Sequence, residues 1–139
     1  MLAFYVAFAK KNNIDPNKIG FFLQNDILKE YMCRGTYIFP PSAGVKLSVD
    51  VLEYCGKYLS KWTPIAVSGY HIREAGATAA QEIAFTAADM IAYFDAAVAR
   101  GVDIVRKRPE TAISFWAHRW IFLRKSLNSG RHAVYLQKS

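Results

Sequence analysis

Two strand–loop–helix units in succession predict a helix-rich α/β chain with parallel strands, and three observations carry that prediction. Short apolar runs at 19–23 and 65–68 are bounded like buried strands. Each is followed by a polar loop and then by apolar positions at helical spacing. The longest helical stretch, near 79–100, carries its own start and stop signals.

Taken in order, helical periodicity marks 2–12, and Asp15-Pro16-Asn17 separates it from the next element. The first buried strand is expected at 19–23, then helices near 26–33 and 46–59, then the second strand at 65–68. In the long helix Thr78 and Gln81 form a capping-box pattern, and Ile83, Ala87, Met90, Ile91, Phe94 and Val98 make one apolar face. Gly101, after Arg100, is the stop signal.

With 139 residues and 53% apolar side chains, the chain can bury a core of its own and is not of the disordered class. The apolar start from Met1 to Ala9 ends at Lys10-Lys11, too short to span a bilayer and without the leading positive region of a signal peptide. No membrane partner and a cytoplasmic setting are therefore expected, with Cys33 and Cys55 as reduced thiols. The net charge of +7 is unevenly placed: residues 1–104 carry ten basic and ten acidic residues, and 105–139 carry eight basic residues against Glu110 alone.

Two runs hold the chemistry. One is Ser68-Gly69-Tyr70-His71-Ile72-Arg73-Glu74-Ala75-Gly76-Ala77-Thr78, which puts a histidine directly after an apolar run. The other is Gln24-Asn25-Asp26-Ile27-Leu28-Lys29-Glu30-Tyr31-Met32-Cys33-Arg34-Gly35-Thr36-Tyr37-Ile38-Phe39-Pro40-Pro41. Their order and length resemble the barrel domain of the adenosylcobalamin-dependent methylmalonyl-CoA mutase family, over about Leu2 to Ile104. The resemblance implies a partial (β/α)8 TIM-barrel segment, because a complete barrel takes about 250 residues, and chemistry on loops at the carboxyl ends of strands.

The same resemblance implies roles. His71 is the expected catalytic residue, donating a hydrogen bond to the thioester carbonyl; Arg34 pairs with the free carboxylate of the malonyl group, and Gln24 orients the substrate. Phe22, Leu23 and Lys61 match further contacts to the CoA ester. The residue types suit the work: an arginine fork fits a carboxylate, and an imidazole stabilises charge developing on oxygen. Relatives that rearrange isobutyryl-CoA tend to carry glutamine at the Arg34 position, so Arg34 points to methylmalonyl-CoA. Taken singly, each residue has a blander reading. A histidine after a strand is often structural, a cation at a helix C-terminus is favourable whatever its function, and Arg73 with Glu74 could be a surface pair.

The chain departs from the family pattern in three places. Phe21-Phe22 stands where Gly-Thr is usual, Ser42-Ala43-Gly44-Val45 replaces Glu-Pro-Ser-Met, and the Asp-x-His-x-x-Gly motif that supplies the cobalt-ligating histidine does not occur. The adenosylcobalamin-binding domain is thus expected to lie outside this chain, and no metal site is expected within it. The expected partners are an acyl-CoA and the remaining mutase fragments or a small cobalamin-binding subunit.

The basic segment 105–139 reads differently when its codons are shifted. Joining the third base of each codon to the first two of the next, Trp120-Ile121 forces aspartate. Permissible codons through Val134 then spell Asp-Phe-Phe-Glu-Glu-Ile-Ala-Lys-Phe-Arg-Ala-Ala-Arg-Arg, which resembles a mutase helix. Lys107 to Glu110 permits Ala-Pro-Arg in the same frame, which puts the slip between Ile104 and Lys107. Residues 105–139 are therefore expected to be a frameshifted tail that adds no organised core. The sequence leads to an internal fragment of the mutase, an isomerase by family, inactive as this chain alone. Two rivals remain: a small basic nucleic-acid-binding module, and an assembly protein that docks on complementary mutase segments.

Overall fold

A computed structural model describes residues 1–102 and 113–116. Helix α1 spans Leu2–Lys11, and a 3-10 turn comes next at Pro16–Lys18, where the Asp15 carboxylate accepts the Asn17 N–H at 2.9 Å. Helix α2, Ile27–Lys29, runs directly into a π-helical turn at Glu30–Arg34, closed by Gly35 in the left-handed region at φ 61°. Helix α3, Pro41–Tyr58, leads to strand β1, Ile65–Ser68. Helix α4, Tyr70–Glu74, and helix α5, Ala79–Ala99, complete the order to strand β2, Ile113–Trp116. The result is a helix-rich α/β arrangement.

β1 is buried along its whole length, as its apolar run predicts for a parallel strand covered on both faces. Side chains alternate across a strand, and Ile65 and Val67 join Val49 and Leu52 of α3 with Tyr93 and Ala97 of α5 in one cluster. A second cluster gathers Val6, Cys55, Leu59 and Trp62, placing α1 over the far end of α3. Burial pushes the Cys55 thiol up to about 11, and Cys33 and Cys55 are both free thiols. No helix among the described residues is long and apolar enough to cross a membrane.

Two segments flank β1, both parallel to it. β2 pairs with it in register, Ile65 opposite Ile113 through Ser68 opposite Trp116. On the other edge the Thr63 N–H donates to the Phe21 carbonyl at 2.8 Å, and the Leu23 N–H donates to the Thr63 carbonyl at 2.9 Å. The expected strand at 19–23 is thus corrected to a single bridge, Phe22 to Thr63. Beyond it the ladder skips Ile65, and the Ala66 N–H takes the Leu23 carbonyl at 2.9 Å. β2 lies in the basic segment beyond residue 104 and pairs there with β1. The rest of the basic segment lies outside the described residues.

The long helix begins and ends as its sequence signals require. The Thr78 hydroxyl accepts the Gln81 N–H at 3.3 Å, the Gln81 side chain accepts the Thr78 N–H at 2.8 Å, and Gly101 turns left-handed at φ 71°. Its buried stripe only partly follows the apolar face expected, with Met90 and Phe94 half-buried against the core cluster. Glu82, Thr86, Asp89, Tyr93 and Ala97 are buried, whereas Ile91 and Val98 are exposed. The helix therefore turns a mostly polar stripe inward, and that stripe borders the site.

Candidate functional site

The parallel strands bring their carboxyl ends together, and the residues just beyond those ends meet there. Gln24 comes directly after the bridged segment and donates from Nε2 to the Ser68 hydroxyl, the last residue of β1, at 3.4 Å. His71 sits in the first turn of α4, only 6% exposed, with the Tyr70 ring centroid 3.7 Å from its own. Gly69 makes this turn possible. A Cβ there would fall 2.4 Å from Thr86 Oγ1 and 2.9 Å from Glu82 Cγ, so only glycine lets the strand end approach α5 this closely.

Arg34 ends the π-helical turn that packs against α4. Its guanidinium is half exposed and lies 3.5 Å from the Glu30 carboxylate, a long and weak ion pair. The fork therefore keeps donors available to a ligand carboxylate. Burial lowers the His71 pKa below its ordinary value, and the charges of Lys29 and Arg34 lower it further. The Ser68 backbone lies close enough to the ring to favour its charged form, though neither ring nitrogen reaches hydrogen-bond geometry with a described residue. His71 is thus a neutral imidazole at neutral pH, with one nitrogen able to donate and the other to accept.

The structure thus brings Gln24, Arg34 and His71 to one end of the strands. Of the other expected contacts, Phe22 is exposed and stacks on Phe21 at 6.0 Å, while Leu23 packs its side chain into the Val6 cluster. Lys61 is exposed and precedes β1, at the end of the strand remote from His71, and is not brought to the other three.

Beneath these residues lies a charged cluster that sequence reasoning missed. Asp26 is fully buried: its Oδ1 accepts the Tyr93 hydroxyl at 3.0 Å and the Lys29 N–H at 3.3 Å, while Oδ2 has no hydrogen-bond partner among the described residues. Burial raises its pKa, against the opposing hydrogen bond and charge of Lys29. Lys29 is also fully buried, with Nζ 3.8 Å from Glu30 Oε1, and burial lowers its pKa. Asp89, 6% exposed, is pushed up to about 7, by burial first and the Asp26 charge second. Burial and the Asp89 and Asp26 charges also raise the Cys33 thiol. The available signal was the spacing of Glu82, Thr86, Asp89 and Tyr93, which share one face of α5.

No group of three or more metal-ligating side chains occurs among the described residues. His71 is the only histidine among them, and its burial beneath Tyr70 does not fit a cobalt ligand.

Comparison with known proteins gives the family. The family model for methylmalonyl-CoA mutase matches residues 1–124, so the likeness continues past Ile104 into the basic segment. The chain is 41% identical over 115 residues to the methylmalonyl-CoA mutase of Escherichia coli (strain K12), covering 83% of this chain and 16% of the relative. It is 42% identical over 104 residues to that of Rhizobium meliloti (strain 1021), covering 75% of this chain and 15% of the relative. It is 39% identical over 116 residues to the methylmalonyl-CoA mutase large subunit of Propionibacterium freudenreichii subsp. shermanii, covering 84% of this chain and 16% of the relative. The chain thus spans about one sixth of the length of these relatives. With a family match over most of its residues, and with the two motif runs meeting at the carboxyl ends of parallel strands, the chain belongs to the methylmalonyl-CoA mutase family.

Proposed function

We propose that this chain is the acyl-CoA-holding part of a methylmalonyl-CoA mutase, a segment of a (β/α)8 barrel. The observation that carries the reading is the hydrogen bond from Gln24 to Ser68, which ties together the ends of two neighbouring parallel segments with His71 three residues further on. Three parallel segments side by side in chain order, with helices between the first two, suit a barrel wall. In this reading Arg34 grips the free carboxylate of methylmalonyl-CoA, Gln24 orients the acyl group, and His71 donates an N–H to the thioester carbonyl. Phe22 and the Leu23 backbone border the CoA ester, while Lys61 acts from further away. Adenosylcobalamin supplies the radical in the whole enzyme, and these residues hold and shield the acyl group.

The remaining mutase segments, and a small cobalamin-binding subunit, are the partners this reading requires. Assembled with those segments, Arg34→Gln is expected to weaken methylmalonyl-CoA binding by about 1.5–3 kcal/mol, the worth of a hydrogen bond to a charged group, and to leave isobutyryl-CoA binding unchanged. His71→Ala should lose less affinity than Arg34→Gln and more turnover. Calorimetric titration of both ligands decides it, and equal losses for the two acyl-CoAs would remove Arg34 from the carboxylate. The 139 residues alone are expected to form no succinyl-CoA, even with added adenosylcobalamin.

The frameshift remains part of the proposal. The shifted reading at Lys107 to Glu110 and from Trp120 to Val134 supports a slip between Ile104 and Lys107, whereas the family match through residue 124 favours a later one. Sequencing the nucleotides across Trp116 to Val134 tests it. A gene whose codons do not permit that helix would restore the basic nucleic-acid-binding module as the reading of the segment.

A further inference from the structure

The segment that carries Gln24 and Arg34 is too short to hold its own shape. α2 is three residues long and runs into a single π-helical turn, far below the length at which a helix is stable by itself. Neighbouring elements must therefore impose the position of both side chains. Apolar burial does this poorly, because it is non-directional and leaves a segment free to slide or turn. Hydrogen bonds weaken steeply away from linearity, so they fix direction as well as distance.

Two helices supply such bonds. From α3, the Ser48 hydroxyl donates to the Asn25 carbonyl at 2.9 Å, and Gly44 lets Ile27 sit close against the helix. From α5, the Tyr93 hydroxyl donates to Asp26 Oδ1 at 3.0 Å and accepts the Leu28 N–H at 3.2 Å. Asp26 Oδ1 also accepts the Lys29 N–H at 3.3 Å, so one buried oxygen joins α5 to the start of α2. Tyr93 and Ser48 are 0% and 4% exposed. An apolar side chain would fill either place without burying a polar group, and neither hydroxyl has a part in holding the acyl-CoA.

We infer that Tyr93 is a positioning residue for Gln24 and Arg34, with Ser48 as its counterpart on α3: through Asp26 and the backbone of Asn25 and Leu28, the two hydroxyls fix the segment that carries both groups. The inference rests on the acyl-CoA reading for what Gln24 and Arg34 hold. Asn25 and Asp26 follow Gln24 directly, so a shift there turns its amide away from the Ser68 hydroxyl, now at 3.4 Å. Arg34 lies at the far end of the same segment, where a small rotation about α2 becomes a larger displacement of the guanidinium. A fork that must meet two carboxylate oxygens together is sensitive to that displacement.

The first test uses the full chain without ligand. NMR of labelled glutamine and arginine side chains, assigned with Gln24→Asn and Arg34→Lys, should show both signals displaced in Tyr93→Phe. The Trp62 indole N–H, bonded to the Pro16 carbonyl at 3.4 Å in the other core cluster, should keep its position and so report the intact fold. A residue that only adds stability would weaken the native signals without moving them. Native positions for Gln24 and Arg34 in folded Tyr93→Phe overturn the inference. Where Tyr93→Phe does not fold, Ser48→Ala is read by the same criterion at Gln24, and Ser48→Thr, which keeps the hydroxyl, should leave that signal in its native place.

The second test uses the protein assembled with the remaining mutase segments. The preference for methylmalonyl-CoA over isobutyryl-CoA should fall about tenfold in Tyr93→Phe, the lower end of what a hydrogen bond to a charged group is worth. This ratio does not depend on how much of the protein is folded. An unchanged ratio, where Arg34→Gln lowers it, overturns the inference. If Arg34→Gln itself leaves the ratio unchanged, the carboxylate reading falls, and the signals of the ligand-free chain still decide the place of Tyr93.

Discussion

Replacing Asp89 by asparagine is expected to stabilise the protein, by an amount that grows with pH. An ordinary aspartate titrates near 3.8, whereas burial and the Asp26 charge push Asp89 up to about 7 in the fold. The folded state therefore holds this proton more tightly than the unfolded chain does. Below 3.8 both states are protonated and the group costs nothing. Between 3.8 and about 7 only the unfolded chain releases the proton, so stability falls as pH rises, and above about 7 the loss is complete. At 1.36 kcal/mol per unit the full loss is about 4 kcal/mol. Asparagine keeps the shape and has no proton to release. Urea unfolding at pH 5 and pH 8 should show the unaltered protein weaker at the higher pH and most of that slope gone in Asp89→Asn. Asp26, raised in the same direction, supplies part of what slope remains. Equal slopes in the two proteins would mean that Asp89 does not hold its proton in the fold.

Tyr93→Phe should destabilise by about 2–4 kcal/mol at any pH where the fold is intact. The Tyr93 hydroxyl donates to Asp26 Oδ1 at 3.0 Å and accepts the Leu28 N–H at 3.2 Å. Removing it leaves a buried carboxylate oxygen short of a donor and a backbone N–H short of an acceptor. Each costs about 1–3 kcal/mol when desolvated. The ring stays, so no cavity opens to confuse the result. The same loss frees the start of α2, so exchange of the Leu28 and Lys29 amides should accelerate. A stability change within about 0.5 kcal/mol would show that the hydroxyl does not bridge these two groups.

The burial of polar groups decides which parts of the fold were legible in the sequence and which were hidden. The capping box at Thr78 and Gln81 and the stop at Gly101 were readable because local backbone groups decide them. The face of α5 was legible only in part: Met90 and Phe94 do pack on the core, but periodicity assigns apolar residues inward, and here Glu82, Thr86 and Asp89 are buried while Ile91 and Val98 are not. α3 begins at Pro41 rather than near 46, with proline in its first turn, where its missing N–H costs nothing. Within the helix Gly44 leaves room for Ile27, since a Cβ there would come within 2.8 Å of Ile27 Cγ1. The π-helical turn has no sequence signal, as its extra residue per turn disturbs only five positions. Gln24 and His71 follow directly on the apolar runs that set the strand ends, so their positions in the chain were readable. Asp26 and Lys29 were passed over because, in sequence, they are ordinary members of an amphipathic stretch.

β1 stands between neighbours that come from far away in the chain, Phe22 before it and Ile113–Trp116 after it. Its two edges are therefore completed at different times during synthesis. The earlier neighbour is already in place when Ile65–Ser68 emerges, but the later edge waits while all of α4 and α5 are made. Until then an apolar strand shows a row of unpaired backbone groups, the geometry that invites pairing with another chain. Closing that long loop also makes the last ladder a late and slow step in refolding. Slow emergence of β2, or its loss by early termination, would thus appear first as aggregation of nascent chains rather than as a weakened native state.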